Sequence, residues 1–316
     1  MEFPVELRAE IERLALAENP KALSQNAARL SERYRGESGK GRVLTNGRRD
    51  IIAYSAVRMP ATFGAAERAL ELTLAQFAGD ISCVLDVGAG TGAATHAASL
   101  LTQAEKFTCL EREQDMLEIG KLLCESRGLA AEWRRCDVNM GFPEHADLVL
   151  SSYCLNEMSA SNRKAAVERL WSAADKLLLI VEPGTPEGFS QLREARKQLI
   201  SLGAQICAPC PDVGICPLEE GDWCHFTARI ARTKLHKQLK GGDAPYEDEK
   251  FCFLAAAKSG AVPCTARVLR HPQIDSGRIT LRLCTASGIS DRLITKKSPQ
   301  FKAARKAVGG DVFPAE

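Results

Sequence analysis

A short apolar stretch that ends in a carboxylate runs directly into a glycine-rich turn and then into a helix-forming segment, in the sequence VLDVGAGTGAATHAASLL at residues 84–101. Gly88, Gly90 and Gly92 lack Cβ atoms, so the backbone of this turn can approach a ligand closely. The start of the following helix offers unpaired N–H groups to a polar or anionic ligand. The order of these features predicts a strand, a ligand-binding loop and a helix.

The same alternation of strand and helix continues along the chain. The segments SCVLDVG, KFTCLERE, AEWRRCDV, ADLVLSSY and KLLLIVEPG are short and apolar, and helical spacing fills the intervals between them. This pattern predicts a parallel sheet that is covered by helices on both faces. Upstream of the sheet, apolar residues at helical spacing predict helices in residues 5–16 and 63–77.

Acidic residues close several of these strands and predict a nucleotide-type ligand. Glu111 ends the second strand, where a carboxylate can accept hydrogen bonds from ribose hydroxyls, and Asp137 ends the third, within reach of an adenine amino group. A glycine fingerprint for NAD also fits, but DVGAGTG closely resembles motif I of class I S-adenosylmethionine-dependent methyltransferases, which favours S-adenosylmethionine. The predicted cofactor-binding residues are Asp86, Gly88, Ala89, Gly90, Gly92, Glu111 and Asp137.

The segment SSYCLNEM after the fourth strand is expected to face the methyl donor through Tyr153, Asn156 and Glu157. It contains no Asn-Pro-Pro-Tyr-like or Asp-Pro-Pro-Tyr-like element that would clamp an amino group. Glu157 is a candidate base, although a role as a structural or cofactor-proximal group fits it better. The sequence therefore supports ligand binding more strongly than catalysis.

Cysteines are concentrated in ICAPCPDVGICPLEEGDWCHF at residues 206–226, where Cys207, Cys210, Cys216 and Cys224 are spaced C-x2-C-x5-C-x7-C. The spacing matches neither a zinc ribbon nor a ferredoxin run, yet dense thiols in a proline-broken loop favour a bound metal. Glutamates at positions 2, 6, 10 and 12 lie within the first twenty residues, and no apolar run reaches the roughly 18 residues of a membrane span. We therefore expect a cytoplasmic protein without a membrane partner, where metal binding is favoured over disulfides.

Charge is unevenly distributed and predicts a polyanionic partner. Residues 225–306 contain 17 Lys and Arg against 6 Asp and Glu, whereas residues 1–224 contain 25 against 32. A helix in ARTKLHKQLKGG and a hairpin of RITLRLC with SDRLITKK present many of these cations, and KFCFLAAA with CTARVLR is expected to form a hairpin that ends the main sheet. The predicted RNA-binding residues are Arg232, Lys234, Lys237, Lys240, Arg278, Arg282, Lys296 and Lys297.

Six ordered motifs together resemble one known family. YSAVRMPATFGA, LDVGAGTGAA, EPGTPEGF, APCPDVGICPL, DWCHF and YEDEKF follow one another over nearly the whole chain. They resemble the methyltransferase-like small-ribosomal-subunit assembly factors of mitochondria and their bacterial relatives. The resemblance implies a Rossmann-like methyltransferase fold that binds small-subunit ribosomal RNA during maturation and holds a 4Fe-4S cluster on four cysteines.

The resemblance also changes the predicted metal ligands. Three family ligands match Cys210, Cys216 and Cys224 by their spacing, and the fourth matches Cys284 in RITLRLCTASG. Proximity in the sequence alone favours Cys207 as the fourth ligand, and zinc is the alternative metal for the same cage.

Together these features predict an α/β protein with a Rossmann-like class I methyltransferase sheet, an N-terminal helical region and a Cys-rich, basic C-terminal extension. The expected divisions are residues 1–78 (helical), 79–203 (S-adenosylmethionine-binding), 204–250 (metal loop and basic helix) and 251–316 (terminal strands and basic region). We expect a monomeric assembly factor that binds the small ribosomal subunit and its RNA. The alternative is an active ribosomal RNA methyltransferase.

Overall fold

A computed structural model describes residues 2–36, 47–211 and 214–314. Its helices are α1 (Val5–Leu16), α2 (Pro20–Gly36), α3 (Arg48–Val57), α4 (Met59–Leu74), α5 (Ala93–Leu101), α6 (Gln114–Ser126), α7 (Ala160–Ala173), α8 (Pro186–Ser201), α9 (Lys234–Lys240) and α10 (Phe301–Lys306). Its strands are β1 (Cys83–Val87), β2 (Lys106–Glu111), β3 (Ala131–Arg135), β4 (Ala146–Ser152), β5 (Ala174–Pro183), β6 (Gln205–Ala208), β7 (Phe226–Ala231), β8 (Tyr246–Ala257), β9 (Ala266–Val268), β10 (Gln273–Asp275), β11 (Arg278–Thr285) and β12 (Gly288–Thr295). Across these ranges, no helix is long and apolar enough to cross a membrane.

The main sheet has the strand order β3-β2-β1-β4-β5-β8-β6, with β7 paired to β8. Strands β1 to β5 run parallel to one another, and β8 is antiparallel to both β5 and β6. Each of the five predicted strands coincides with one of β1 to β5. The order 3-2-1-4-5 is that of a Rossmann-like sheet, and its antiparallel addition is the class I methyltransferase arrangement. The predicted fold class is confirmed.

Strand β5 shows why the sheet needs helices on both faces. Leu177, Leu179 and Val181 pack into a core shared with α1, α3 and α4, whereas Leu178 and Ile180 pack into a second core shared with α7 and α8. Successive side chains of a strand point to opposite faces, so an uninterrupted apolar run requires two covered faces. The predicted N-terminal helices supply part of one layer.

One predicted strand pairing is wrong. The segments KFCFLAAA and CTARVLR do not form a hairpin with each other, because β8 lies between β5 and β6 and β9 pairs with β11 in another sheet. Strand β8 is apolar over nearly its whole C-terminal half and is buried there. Such a strand is more stable with a neighbour on each edge than as one arm of a terminal hairpin.

A second, smaller sheet contains β9 to β12, with β11 at its centre. The predicted hairpin of β11 and β12 is confirmed, with Arg278 opposite Thr295 and Thr285 opposite Gly288. Alternate residues Ile279, Leu281 and Leu283 are buried in a separate core to which Ala304 of α10 also belongs. The small sheet therefore has one apolar face and leaves its basic residues on the other.

Candidate functional site

The glycine-rich loop between β1 and α5 adopts the conformation that its sequence predicts. Gly88 and Gly90 have φ angles of 74° and 58°, in the left-handed region that favours glycine. The N–H groups of Gly88 and Ala89 both donate to the carbonyl of Leu110 on β2, at 2.9 and 3.0 Å. A Cβ atom at Gly88 would lie 2.5 Å from the Sγ atom of Cys154, whereas one at Gly90 would meet nothing within 4 Å.

Glu111 holds this loop in place. One carboxylate oxygen accepts the N–H of Gly90 at 2.8 Å, and the other accepts the N–H of Glu113 at the same distance. Burial raises the pKa of Glu111, and these hydrogen bonds act in the opposite direction. The carboxylate predicted to meet ribose hydroxyls thus also fixes the loop that would surround the ligand.

The other two strand-end acids are also engaged in local hydrogen bonds. Asp86 accepts the N–H and the hydroxyl of Thr95 through Oδ2, at 3.1 and 2.7 Å, and burial raises the pKa of Asp86 to about 6. Asp137 accepts the backbone N–H and the side-chain amide of Asn139, both at 2.9 Å, and begins a 3-10 turn. Asp86 therefore connects β1 to α5, and Asp137 shapes the loop after β3.

These groups line one cavity of about 280 Å³ at the carboxyl ends of the parallel strands. All the predicted cofactor residues except Gly92 lie on its wall, and Tyr153, Asn156 and Glu157 lie there as well. The buried carboxylate of Glu182 accepts the N–H groups of Leu155 and Asn156. These hydrogen bonds fix the 3-10 turn that carries Asn156 and Glu157. Burial and then the nearby Glu111 raise the pKa of Glu157 to about 7.

A polar triad at this cavity was not predicted from the sequence. Tyr153 has a φ angle of 57°, and its hydroxyl donates to Oε1 of Glu249 at 2.9 Å. Arg58 of the α3–α4 junction forms an ion pair with the same carboxylate at 3.2 Å. Because Arg58 and Glu249 are 191 residues apart, spacing along the sequence gave no signal for their contact.

A second cavity, of about 240 Å³, contains the four cysteines predicted as metal ligands. Cys210, Cys216, Cys224 and Cys284 all lie on its wall, together with Cys252. Cys207 points elsewhere: it is buried in the main core, where its thiol donates to the carbonyl of Gln76 at 2.8 Å. Folding therefore brings Cys284 of β11 to the loop cysteines and separates Cys207 from them.

Burial and the proximity of other thiols raise the pKa of Cys224 and of Cys284. The pKa of Cys224 is raised by burial and then by Cys210 and Cys284, and that of Cys284 is raised to about 12 by burial and then by Cys210 and Cys216. Among the described residues, no three His, Cys, Asp or Glu side chains are already arranged as a metal site. Within the described residues, the thiols therefore line one cavity without adopting metal-binding geometry.

The predicted RNA-binding residues fall on two separate elements. On α9 and just before it, Arg232 and Lys240 form ion pairs with Glu247 of β8, and Nε2 of His236 lies 2.8 Å from Oε2 of the same carboxylate. Lys234 is exposed and Lys237 is partly exposed. The remaining predicted cations lie on or beside the β11–β12 hairpin: Arg278, Arg282, Lys296 and Lys297.

The sheet topology and the strand-end cavity define a protein of the class I methyltransferase fold, to which a small basic sheet and a thiol-lined cavity are added. The chain belongs to the family described as mitochondrial small ribosomal subunit Rsm22, whose model matches residues 48–314. The family resemblance seen in the six sequence motifs is thereby confirmed.

Two relatives and two solved structures illustrate the similarity. The chain is 25% identical over 293 residues to the human ribosome assembly protein METTL17, mitochondrial, covering 83% of this chain and 62% of that protein. It is 24% identical to Rsm22-cox11 tandem protein 2, mitochondrial, of Schizosaccharomyces pombe, covering 56% of this chain and 30% of that protein. The chain thus spans less than two thirds of the length of either relative.

Among solved structures, magnesium protoporphyrin IX methyltransferase from Synechocystis PCC 6803 with bound SAM matches with a TM-score of 0.41 and 16% identity, covering 72% of this chain and 90% of that one. Mitomycin 7-O-methyltransferase MmcR matches with a TM-score of 0.40 and 17% identity, covering 65% and 55%.

Proposed function

We propose that this chain binds S-adenosylmethionine and a 4Fe-4S cluster, attaches to small-subunit ribosomal RNA and assists assembly of the small ribosomal subunit. The observation that carries the proposal is the family match over residues 48–314, together with a relative named as a ribosome assembly protein. The cationic excess of residues 225–306 supports an RNA partner, because phosphate contacts dominate affinity for nucleic acids.

Unsatisfied polar atoms support S-adenosylmethionine as the ligand of the strand-end cavity. Within the described residues, Oδ1 of Asp86, Oδ1 of Asn156 and Oγ of Ser152 are buried without a hydrogen-bond partner, and all three residues line the cavity. Buried polar atoms are costly unless a partner satisfies them. S-adenosylmethionine would bring polar groups and a methyl group on a cationic sulfonium into this acidic cavity, where Glu111 and the glycine loop would hold it.

The chemistry of the donor set supports a 4Fe-4S cluster in the second cavity. Its wall carries thiols but no carboxylate or imidazole among the described residues. Soft thiolate ligands select iron–sulfur clusters or zinc. Cys210, Cys216, Cys224 and Cys284 would hold the cluster, which would supply a covalent link between the small sheet and the main sheet.

An active ribosomal RNA methyltransferase is the second candidate function. Tyr153 and Glu157 favour it, because they lie in the cavity beside the expected methyl donor. A carboxyl group with a pKa of about 7 is suited to general base catalysis near neutral pH. In that case the target nucleotide would enter beside Tyr153.

Metal analysis after anaerobic purification tests the cluster. Iron and sulfide should be found in the wild-type protein and in Cys207→Ser, and should be lost equally from Cys210→Ser and Cys284→Ser. Zinc in the absence of sulfide would show that the four cysteines hold a zinc ion and not a 4Fe-4S cluster. If Cys284→Ser retains iron and Cys207→Ser loses it, the ligands are the four cysteines of residues 206–226, namely Cys207, Cys210, Cys216 and Cys224.

A deletion strain separates the two candidate functions. The assembly-factor proposal predicts that small-subunit intermediates accumulate while the ribosomal RNA methylation map is unchanged. A methyl group that disappears on deletion, returns with the wild-type gene and does not return with Glu111→Ala would establish the methyltransferase instead.

A further inference from the structure

Arg267 is the most deeply buried arginine in the described part of the chain, and it lies beside the cysteine cavity. Only 1% of the residue is exposed, and it belongs to the cavity wall. In the pairing of β9 with β11, Arg267 stands directly opposite Cys284. Directly opposed residues of antiparallel strands place their side chains on the same face of the sheet. Arg267 is therefore a side-chain neighbour of a proposed metal ligand.

The guanidinium of Arg267 is incompletely satisfied. Its Nε donates to the carbonyl of Pro209 at 2.9 Å, next to Cys210 in the sequence, and its Nη1 donates to the carbonyl of Gly310 at 2.8 Å. Its Nη2 is buried and has no hydrogen-bond partner among the described residues. The geometry leaves one fixed donor available at the cavity.

The charge of Arg267 is also without a matching anion in the described part of the chain. Arginine stays protonated in proteins, and a buried charge that lacks a partner is strongly destabilising. Thiols that are protonated leave this charge uncompensated, whereas thiolates would neutralise it.

We propose that Arg267 is a positioning residue for a negatively charged thiolate–metal centre, whose charge it compensates and to which its free Nη2 donates. The inference rests on the proposed metal site. Four thiols are neutral when protonated, but four thiolates around a divalent ion or a 4Fe-4S core carry net negative charge. Binding of the metal therefore converts the buried guanidinium from an unpaired cation into one half of an ion pair.

Arg196 of α8 adds a second buried guanidinium to the wall of the same cavity. It is also buried and lies on the cavity wall, and its Nη1 donates to the carbonyl of Gly214 at 2.7 Å. The cavity is lined by Arg193, Arg196 and Arg267 and by no carboxylate among the described residues, which matches an anionic occupant.

Binding of Co²⁺ to the anaerobic, metal-free protein tests the inference with a probe that does not require iron. Thiolate-to-cobalt absorption should give an affinity that falls at least tenfold in Arg267→Gln, which loses the charge, and falls less in Arg267→Lys, which keeps it. Arg305→Gln, an exposed arginine of α10, should bind like the wild type. Melting temperatures identify any variant that fails to fold.

A reduction potential provides a second measurement, which a merely structural role would not change. For iron-loaded protein, removal of a nearby cation disfavours the more negative reduced state, so Arg267→Gln should have a more negative midpoint potential than the wild type and Arg305→Gln. A tenfold change in that equilibrium corresponds to about 59 mV for one electron. The midpoint potential of Arg267→Lys should lie between those of Arg267→Gln and the wild type. If Arg267→Gln does not fold, Arg267→Lys is compared with the wild type instead.

The outcomes separate this inference from the metal site itself. Unchanged Co²⁺ affinity and potential in Arg267→Gln, with both lost in Cys210→Ser, would overturn the role of Arg267 and leave the metal site standing. Arg267→Lys that folds but binds Co²⁺ as weakly as Arg267→Gln would also overturn charge compensation. A wild-type protein that binds neither iron nor Co²⁺ would refute the metal site and this inference together.

Discussion

Single residues at the strand-end cavity stabilise the fold and also line the site proposed for the ligand. Glu111 uses its two carboxylate oxygens to fix the backbone at Gly90 and Glu113. A carboxylate has further lone pairs, so it can still accept bonds from ribose hydroxyls. Replacing Glu111 would therefore disturb the loop as well as the ligand contact, and a cleaner test must change the cavity without breaking a hydrogen bond.

Replacement of Gly90 by valine is such a test. A Cβ at Gly90 meets no protein atom within 4 Å, so the side chain would enter the cavity, and the positive φ adds strain of about 1–2 kcal/mol. Affinity for S-adenosylmethionine measured by calorimetry should fall at least tenfold. Gly128→Val is the matched control, because Gly128 also has a positive φ and open surroundings but lies outside the cavity. Equal affinity in the two variants would contradict ligand binding at this loop.

Glu157 should make affinity for the sulfonium depend on pH. Burial and the nearby Glu111 raise its pKa to about 7, so the side chain is mostly neutral at pH 6 and mostly anionic at pH 8. The ratio of S-adenosylmethionine to S-adenosylhomocysteine affinity should rise over that range, by up to about tenfold for a pKa change of one unit on binding. Calorimetry of both ligands checks this, and Glu157→Gln should remove the dependence. A flat ratio in the wild type would mean that Glu157 does not sense the sulfonium.

At the scale of elements, the local sequence pattern predicted where the strands lie better than it predicted which strands pair. Strands β1 to β5 and the loop after β1 were predictable, because apolar runs and glycine positions are local signals. The partner of β9 was not, since the choice between β8 and β11 depends on which edge remains free after the sheet assembles. The approach of Cys284 to the loop cysteines and the Arg58–Glu249 pair likewise join distant segments, and only the family resemblance indicated the first.

Helix α9 is attached to β8 by Glu247, which should contribute to stability in a pH-dependent way. Burial acts in the opposite direction, but hydrogen bonds from His236 and Lys240 lower the pKa of Glu247 from 4.5 to about 2. The lowered pKa means that the stabilisation is present above pH 4.5 and is lost as the pH falls through about 2. Glu247→Gln should therefore unfold about 1–2 kcal/mol more easily than the wild type at pH 6, and the difference should vanish near pH 2.

Denaturant unfolding at several pH values measures this difference. Asp248→Asn is the control, because its pair with Arg229 is exposed and screened by solvent, so its loss should change stability little. If Glu247→Gln is as stable as the wild type at pH 6, the ion pairs do not hold α9 in place.

For the whole molecule, the thiol cavity lies where the main sheet meets the small sheet. Its wall takes residues from α8, from β8, from the cysteine loop and from β11. The small sheet has its own core, but that core is limited to a few residues around Ile279 and Leu281. A metal centre at this junction would therefore contribute most to the stability of the small sheet.

Loss of the metal should loosen the small sheet and leave the nucleotide cavity folded. In Cys284→Ser, amide exchange should accelerate in residues 264–314 and in the cysteine loop, while β1, β4 and β5 stay protected because both of their faces are covered. Affinity of Cys284→Ser for small-subunit RNA should also fall, since the β11–β12 hairpin presents many of the exposed cations. The slope of log affinity against log salt concentration should flatten by roughly one unit for each phosphate that the variant no longer neutralises.

Cys207→Ser is the control for both measurements, because its thiol lies outside the cavity, and it should retain the amide protection and the salt dependence of the wild type. Faster exchange in Cys284→Ser with an unchanged salt dependence would separate the metal from RNA binding. Equally fast exchange in β1 would show that the metal centre stabilises the whole chain.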